Sequence, residues 1–267
     1  MLELFWMPSS FSLGFFSIHP YGLVVTLALL VGFLFIYYRV SSFKIKKENI
    51  LDLPLILVIP VLFGARIYHV LDYWDFYRSD PSRIIAFWQG GLGIWGALIF
   101  GFLAVVVWAR MKKIKILPLL DLLAPGVILT QSIGRLGNFF NLEAFGPPTT
   151  LPWKIYIPPS NRPSGYPGDH FFHPTFFYEA IVNFFIFLTL IFLAGRLKKI
   201  PGLIFFLYVM LYSLGRFGLE FLRVDTWSVG GLKVAQILAF LAIFAAWFFI
   251  LRPRPFGAKR KDFLSFK

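Results

Sequence analysis

The chain contains no cysteine. It can form no disulfide, ligate no zinc through sulfur and supply no thiol nucleophile of its own. Charge is scarce as well: Asp, Glu, Lys and Arg make up 15% of the 267 residues, against about a quarter in a soluble domain. Acidic residues are the scarcer kind, 13 against 26 basic ones, and no Lys or Arg precedes Arg39. The basic start of a cleavable signal peptide is therefore missing, and none is expected. What fills the chain is apolar: 58% of residues are hydrophobic, 20% are aromatic and 34 are Phe, with a mean hydropathy of +0.74. A protein of this size could not cover so much apolar surface in water, which excludes a water-soluble enzyme.

Seven apolar runs, approximately residues 21–38, 53–73, 92–109, 117–133, 176–194, 203–221 and 234–251, can each cross about 30 Å of hydrocarbon as a helix. They are too long, and alternate too little, to be strands. Basic clusters follow the odd-numbered runs: Arg39, Lys44, Lys46 and Lys47; then Arg110, Lys112, Lys113 and Lys115; then Arg196, Lys198 and Lys199; then Arg252, Arg254, Lys259, Arg260, Lys261 and Lys267. By the positive-inside rule this predicts an all-α polytopic membrane protein, with seven transmembrane helices, the N-terminus outside and the C-terminus cytoplasmic. One integral membrane domain, 1–251, is then followed by a basic cytoplasmic tail, 252–267. Residues 1–20, with Phe5, Trp6, Phe11, Phe15 and Phe16, read as an outer interfacial segment. Residues 146–174 hold 8 of the 18 prolines and are too long for a simple connection. They are expected to form a small outer cap, with a Pro-stiffened linker as the plain alternative. The bilayer is the expected partner of the basic clusters, and no nucleic acid is expected.

Charges inside spans are the informative residues. Each costs about 2.5–3.5 kcal/mol at mid-membrane, so Arg66, Asp121, Glu179, Arg216 and Glu220 must pair or line water. Arg216, Glu220 and Arg223 stand at i, i+4 and i+7, on one helix face. Glu220 can hold one Arg and leave the other for a ligand, or the group can satisfy itself. Arg66, His69 and Tyr73 form a similar stripe, in which His69 reads first as a packed polar residue. Between the fourth and fifth runs come Gly134, Arg135, Gly137, Asn138, Asn141, Glu143 and Gly146. The glycines leave the backbone accessible, and a guanidinium suits bidentate phosphate binding. This is either an anion-binding pocket at the outer boundary or a helix cap with a hydrated loop. Pro174 can open the fifth helix, placing Glu179 about one turn inside, where the helix dipole favours a carboxylate. Gly93, Ala97 and Gly101 read as a close-packing stripe.

Residues 134–146 resemble the signature of the bacterial phosphatidylglycerol–prolipoprotein diacylglyceryl transferases, roughly G-R-x-G-N-F-x-N-x-E-x-x-G, at every fixed position. His173, Pro174, Tyr178 and Glu179 resemble that family's H-P-x-x-x-Y-E element, and Arg216, Glu220 and Arg223 its R-x-x-x-E-x-x-R element. Tyr21-Gly22 and Gly64-Ala65-Arg66 also fit, so the resemblance covers residues 18–251. One position departs: Trp95 stands where the family often has His, and an indole cannot take a proton at neutral pH.

The resemblance implies transfer of the diacylglyceryl group of phosphatidylglycerol to the lipobox cysteine of a prolipoprotein. A thioether forms and glycerol 1-phosphate leaves, the first step of bacterial lipoprotein maturation at the inner membrane. The substrate supplies the thiol, which fits a chain without cysteine, and no metal or organic cofactor is implied. Arg135 and Arg216 are expected at the headgroup and departing phosphate, with Asn138 and Asn141 orienting the headgroup. Glu143 and Glu220 are expected to position arginines. Tyr21, His173 and Tyr178 are further candidates, His173 as a base, and Gly137, Gly146, Arg66, Arg223 and Glu179 complete the expected headgroup site. Lipid and signal peptide would both enter laterally from the membrane. Two other classes are weighed against this one. A transporter would carry its buried charges through both leaflets, and a lipid-binding scaffold would tolerate loss of Arg135.

Overall fold

A computed structural model describes residues 11–13, 16–197, 200–224 and 226–251 of the chain. Its helices are α1 (Pro20–Arg39), α2 (Lys47–Asp72), α3 (Trp74–Ser79), α4 (Ile94–Met111), α5 (Ile116–Asn141), α6 (Thr175–Leu197), α7 (Leu203–Leu219) and α8 (Val234–Leu251). All but α3 are long and apolar enough to cross a membrane, so the described residues supply seven candidate spans. Side chains such as Leu55, Ile59, Phe185, Phe192 and Phe240 are largely exposed on these helices, as expected of surface that faces lipid rather than water. Three two-stranded antiparallel hairpins accompany the helices: β1 (Phe11–Leu13) with β2 (Phe16–Ile18), β3 (Ile155–Tyr156) with β4 (Phe171–Phe172), and β5 (Ser228–Val229) with β6 (Leu232–Lys233). The strands β1 and β2 fall in the expected interfacial segment; residues 1–10, 14 and 15 of that segment, Phe5, Trp6 and Phe15 among them, and the basic tail 252–267 lie outside the described residues.

The chain divides into two compact units, residues 37–119 and residues 1–36 with 120–267. In the first, α2 and α4 pack through glycines. A Cβ on Gly96 would collide with the Gly64 carbonyl oxygen, and one on Gly93 with the Tyr68 ring. Of the expected stripe, Gly93 and Gly101 meet α2, at Tyr68 and Val61, while the closest approach is at Gly96, outside the stripe.

In the second unit, Thr130 on α5 donates to the Ala28 carbonyl of α1 at 3.2 Å, and Gly32 and Gly126 let those two backbones approach. Ser132 ties α5 to the Ala180 carbonyl of α6 at 2.8 Å. Ile128, Ile186, Leu190 and Ile204 form the apolar centre of this unit.

Asp121, buried near the start of α5, accepts from the Gly202 N–H at 2.5 Å and from the Phe205 N–H at 2.9 Å. A carboxylate from another helix thus satisfies amides that the start of α7 cannot bond internally. Asp121→Ala should cost at least about 2 kcal/mol, because hydrogen bonds to a charged group contribute about 1.5–3 kcal/mol each. Thermal melting in detergent checks this: the alanine variant should melt well below the parent and Asp121→Asn between the two. An unchanged alanine variant would remove Asp121 from the capping role.

Residues 146–174 are not a linker. Their strands β3 and β4 pair, Thr149 N–H donates to the Phe171 carbonyl at 3.0 Å, and Phe145, Ile157 and Phe172 bury a small apolar core. Arg162 braces it, donating to the Ile157 and Pro167 carbonyls at 3.0 and 3.1 Å. Fixed proline torsions and this core replace the regular ladders that so short a segment lacks.

Candidate active site

The polar signature lies on α5 itself. The expected span ended at residue 133, but the helix runs on to Asn141, so Arg135 and Asn138 project from consecutive turns of one helix. Glycine at 134 and 137 weakens a helix by about 1 kcal/mol each. At Gly137 a packing reason offsets this: a Cβ there would lie 3.1 Å from the Tyr21 ring, so the missing side chain is where α1 brings its tyrosine against α5. Beyond Asn141 the chain stops abruptly. Leu142 and Ala144 take left-handed φ of 52° and 54°, a conformation that costs a non-glycine residue about 1–2 kcal/mol. Thr175 Oγ1, at the start of α6, fixes this turn by donating to the Ala144 carbonyl at 2.6 Å.

Gly146 follows. It is buried, and its N–H donates to the His173 carbonyl at 2.8 Å. A Cβ would stand 2.6 Å from the Leu222 carbonyl oxygen and 2.7 Å from Thr175 Cγ2. Gly146 is therefore a close-approach residue that lets the turn after α5, the start of α6 and the segment after α7 meet. The sequence had suggested a headgroup contact there.

At this junction three arginines gather around two buried carboxylates. Arg135 Nη2 lies 2.8 Å from Glu179 Oε1; Arg216 Nη1 and Arg223 Nη1 lie 3.6 and 4.0 Å from Glu179 Oε2; and Arg216 Nη2 lies 2.6 Å from Glu220 Oε2. Glu179 and Glu220 are 4% and 1% exposed. Counted as ions, three guanidinium groups face two carboxylates, and one positive charge is left over. Arg135 is the most accessible of the three, with 28% of its side chain exposed against 19% and 16%. Burial, and then the neighbouring Arg216 guanidinium, push Arg223 below the ordinary arginine range while Glu179 partly restores it; it remains a cation at neutral pH. The expected i, i+4, i+7 face is kept only in part. The α-helix ends at Leu219, a 3₁₀ turn covers Glu220–Leu222 and Arg223 is extended, yet Arg216 still holds Glu220.

Four further side chains belong to this junction and were not singled out from the sequence. Asn183, buried one turn beyond Glu179, keeps an Nδ2 without a hydrogen bond among the described residues. Its signal was a polar residue four positions from Glu179 in an apolar run. Tyr212 interacts with Arg135 through its hydroxyl. Lys233 Nζ donates to the Glu220 and Arg223 carbonyls at 2.6 and 2.9 Å, which pins the end of the arginine element to the β5–β6 hairpin. Trp153 Nε1 donates to the Tyr178 hydroxyl at 2.7 Å, and that hydroxyl lies 3.1 Å from His173 Nδ1. Trp153, in a loop, and Lys233, in a two-residue strand, carry no periodicity that could have marked them.

Two expected site residues are placed differently. Glu143 is exposed and accepts from Asn141 Nδ2 at 2.5 Å; the carboxylates that meet the arginines are Glu179 and Glu220. Arg66 lies in the other unit and is saturated. Nε donates to the Ile84 carbonyl at 2.9 Å, Nη1 to those of Gly90 and Gly91 at 2.5 and 2.9 Å, and Nη2 to those of Arg83 and Ala86. All five N–H donors of the guanidinium are used, so Arg66 fastens residues 83–91 to α2 and has none left for a headgroup. Beside it His69 stacks on Tyr73, with ring centroids 4.6 Å apart, and meets the buried Tyr77 hydroxyl at 3.0 Å. Arg66→Met should release that segment, read as cleavage within residues 80–93 by a protease under conditions that leave the parent intact. Trp95, in the first turn of α4, is 41% exposed.

The family model described as prolipoprotein diacylglyceryl transferase matches residues 8–252 of the chain. The phosphatidylglycerol–prolipoprotein diacylglyceryl transferase of Acaryochloris marina is 41% identical over 252 residues, 91% of each chain. That of Trichormus variabilis is 42% identical over 258 residues, 93% of this chain and 91% of its own. That of Fervidobacterium nodosum is 39% identical over 241 residues, 89% of this chain and 82% of its own.

Proposed function

The chain belongs to the prolipoprotein diacylglyceryl transferase family, and from that premise we propose that it transfers the diacylglyceryl group of phosphatidylglycerol to the cysteine thiol of a prolipoprotein. The observation that carries the reading is the surplus of positive charge where Arg135, Arg216 and Arg223 surround Glu179 and Glu220. The phosphodiester of phosphatidylglycerol carries one negative charge. It can take the place beside Arg135, the most accessible of the three arginines, and offset part of that surplus.

In this reading the substrate sulfur, as thiolate, attacks the glyceryl carbon that bears the phosphate. A C–S bond forms, the C–O bond to phosphate breaks and glycerol 1-phosphate departs. Arg135 and Arg216 hold the phosphate and stabilise the charge that develops on it, with Arg223 adding to the local positive field. Glu179 and Glu220 keep the arginines in place. Asn138 and Asn141 orient the glycerol hydroxyls, with Tyr21 set beside them by Gly137. His173 is the candidate acceptor of the thiol proton: with Nδ1–H donating to the Tyr178 hydroxyl, which also accepts from Trp153 Nε1, the Nε2 lone pair is left for the thiol. The site opens to the outer side of the bacterial inner membrane, because it lies between the fourth and fifth spans and the basic clusters follow the odd-numbered ones.

The test is reconstitution with headgroup-intact, acyl-labelled phosphatidylglycerol and a lipobox peptide. Label should become attached to the peptide by a bond stable to thioester-cleaving hydroxylamine, and a Cys→Ser peptide should acquire none. A folded protein that binds the lipid and labels neither peptide would overturn the reading in favour of a lipid-binding scaffold.

A further inference from the structure

Among the described residues no carboxylate pairs with Lys233. Its half-buried side chain gives its hydrogen bonds to backbone instead, to the Glu220 carbonyl at 2.6 Å and the Arg223 carbonyl at 2.9 Å. These two carbonyls close the element that carries the arginines, where the α-helix has stopped at Leu219, a 3₁₀ turn covers Glu220–Leu222 and Arg223 is extended. A helix end leaves its last carbonyls short of donors and favours a cation. The Arg223 N–H supplies one donor, to Glu220 at 3.2 Å, and Lys233 supplies two more. One ammonium thus holds the main chain of Glu220, whose carboxylate meets Arg216 at 2.6 Å, and of Arg223, whose Nη1 lies 4.0 Å from Glu179 Oε2. Gly146 closes in on the Leu222 carbonyl between them, so near that a Cβ would stand 2.6 Å from it. The turn is fixed by contacts from two other segments of the chain.

Lys233 can do this because its own backbone is fixed. Gly230 and Gly231 have φ of 58° and 80°, the two positive values that a two-residue type I′ hairpin turn requires. Ser228 pairs with Lys233 and Val229 with Leu232. Val234, the first residue of α8, donates its N–H to the Trp227 carbonyl at 3.0 Å, and α8 then packs along α7. A long, flexible side chain is therefore rooted at a rigid point and reaches from the start of α8 to the end of α7. Capping alone would be a matter of stability. What sets Lys233 apart is which residues it caps.

Resting on the transferase reading, we propose that Lys233 is a positioning residue of the reaction. It holds the Glu220–Arg223 turn so that Arg223 stays turned toward Glu179 and the departing phosphate. It acts through Arg223 rather than on the substrate. Arg223 has left the helix, so nothing in its own local structure keeps it there once the ammonium is gone.

Two measurements test this, both read as initial rates of transfer. The chain has no cysteine, so Lys233→Cys carries the protein's one thiol, which can be alkylated in the folded protein before peptide is added. Unmodified, this variant should lose about ten- to a hundredfold in kcat/KM for phosphatidylglycerol, the scale on which a misplaced group lowers a rate. Bromoethylamine, which restores an ammonium at lysine length, should return most of the loss. Iodopropane, which gives the same length without charge, should return none. The protein is already folded when the reagent arrives, so recovery with the amine alone is not an effect on folding. An unimpaired cysteine variant would overturn the proposal, as would equal recovery or equal failure with the two reagents. The second measurement is a double-mutant cycle with Arg223→Gln. In the parent, Lys233→Met should lower the rate about ten- to a hundredfold, and Lys233→Arg, which keeps the charge and the donors, much less. In the Arg223→Gln protein, Lys233→Met should lower it less than about twofold, because residues that act through one another are not additive. An equal loss in both backgrounds would make Lys233 a stabiliser of the fold only and end this assignment alone. A parent that transfers nothing ends the transferase reading and takes the assignment with it.

Discussion

Arg135→Ala is expected to reduce transfer at least about a hundredfold, and up to about a thousandfold, in a protein that still folds. Removing one preorganised donor from a developing oxyanion costs about 10²–10³ in rate, and Arg135 is both the most accessible of the three arginines and the one joined to Glu179 at 2.8 Å. Glu179 and the Tyr212 hydroxyl engage only part of its guanidinium fork and leave donors for a phosphate. Arg135→Lys should recover little, because an ammonium restores the charge without the planar pair of donors. The check is initial rate of transfer for the three proteins at saturating lipid, with melting temperature as the control for folding. An alanine variant within threefold of the parent would remove Arg135 from the reaction and return the scaffold class to consideration.

Glu179→Ala should produce the largest loss of stability, about 3–5 kcal/mol, the usual cost of stripping the partner from a buried charge. Three arginines share this one carboxylate, and its removal leaves Glu220 alone to balance them. Glu179→Gln keeps the shape and one acceptor, and should fall between. The readout is melting in detergent with and without glycerol phosphate. Part of the lost stability should return with the anion present, since a ligand that binds only the folded protein stabilises it in proportion to its occupancy. A variant that melts low and ignores the anion would mean that Glu179 is a packing residue only.

The seven spans were legible because apolar runs long enough to cross a bilayer have few alternatives in a chain so poor in charge. The residues of the cluster were legible for the same reason: Glu179, Arg216 and Glu220 are too costly in a span to lack a partner. What the spacing could not show was the partner itself. Glu143, two residues from Asn141 in the signature, looked as suited to an arginine as Glu179, yet it ended at the surface, because the left-handed turn at Leu142 and Ala144 carries the chain away from α5. Gly134 and Gly137 read as accessible backbone, and only the neighbouring Tyr21 ring shows why a glycine sits within the helix at 137. Arg66 read as an anion ligand because its five acceptors are backbone carbonyls, which every residue has and no motif announces. The fold of residues 146–174 was half legible: its length argued against a plain connection, but Trp153 and Arg162, which hold it together and tie it to Tyr178, are spaced by no rule.

Arg66 has one further consequence. Residues 83–91 contain no regular element longer than a short 3₁₀ turn, the kind of segment that ordinarily opens and closes by itself many times before the domain around it unfolds. Here five of its attachments end on one planar group rooted in the last two turns of α2. They cannot fray in turn, because swinging the guanidinium away from one carbonyl withdraws it from the rest. Amide hydrogens along this segment should therefore exchange in step with one another, at the pace of α2, and the loop inherits the lifetime of the helix that carries its anchor.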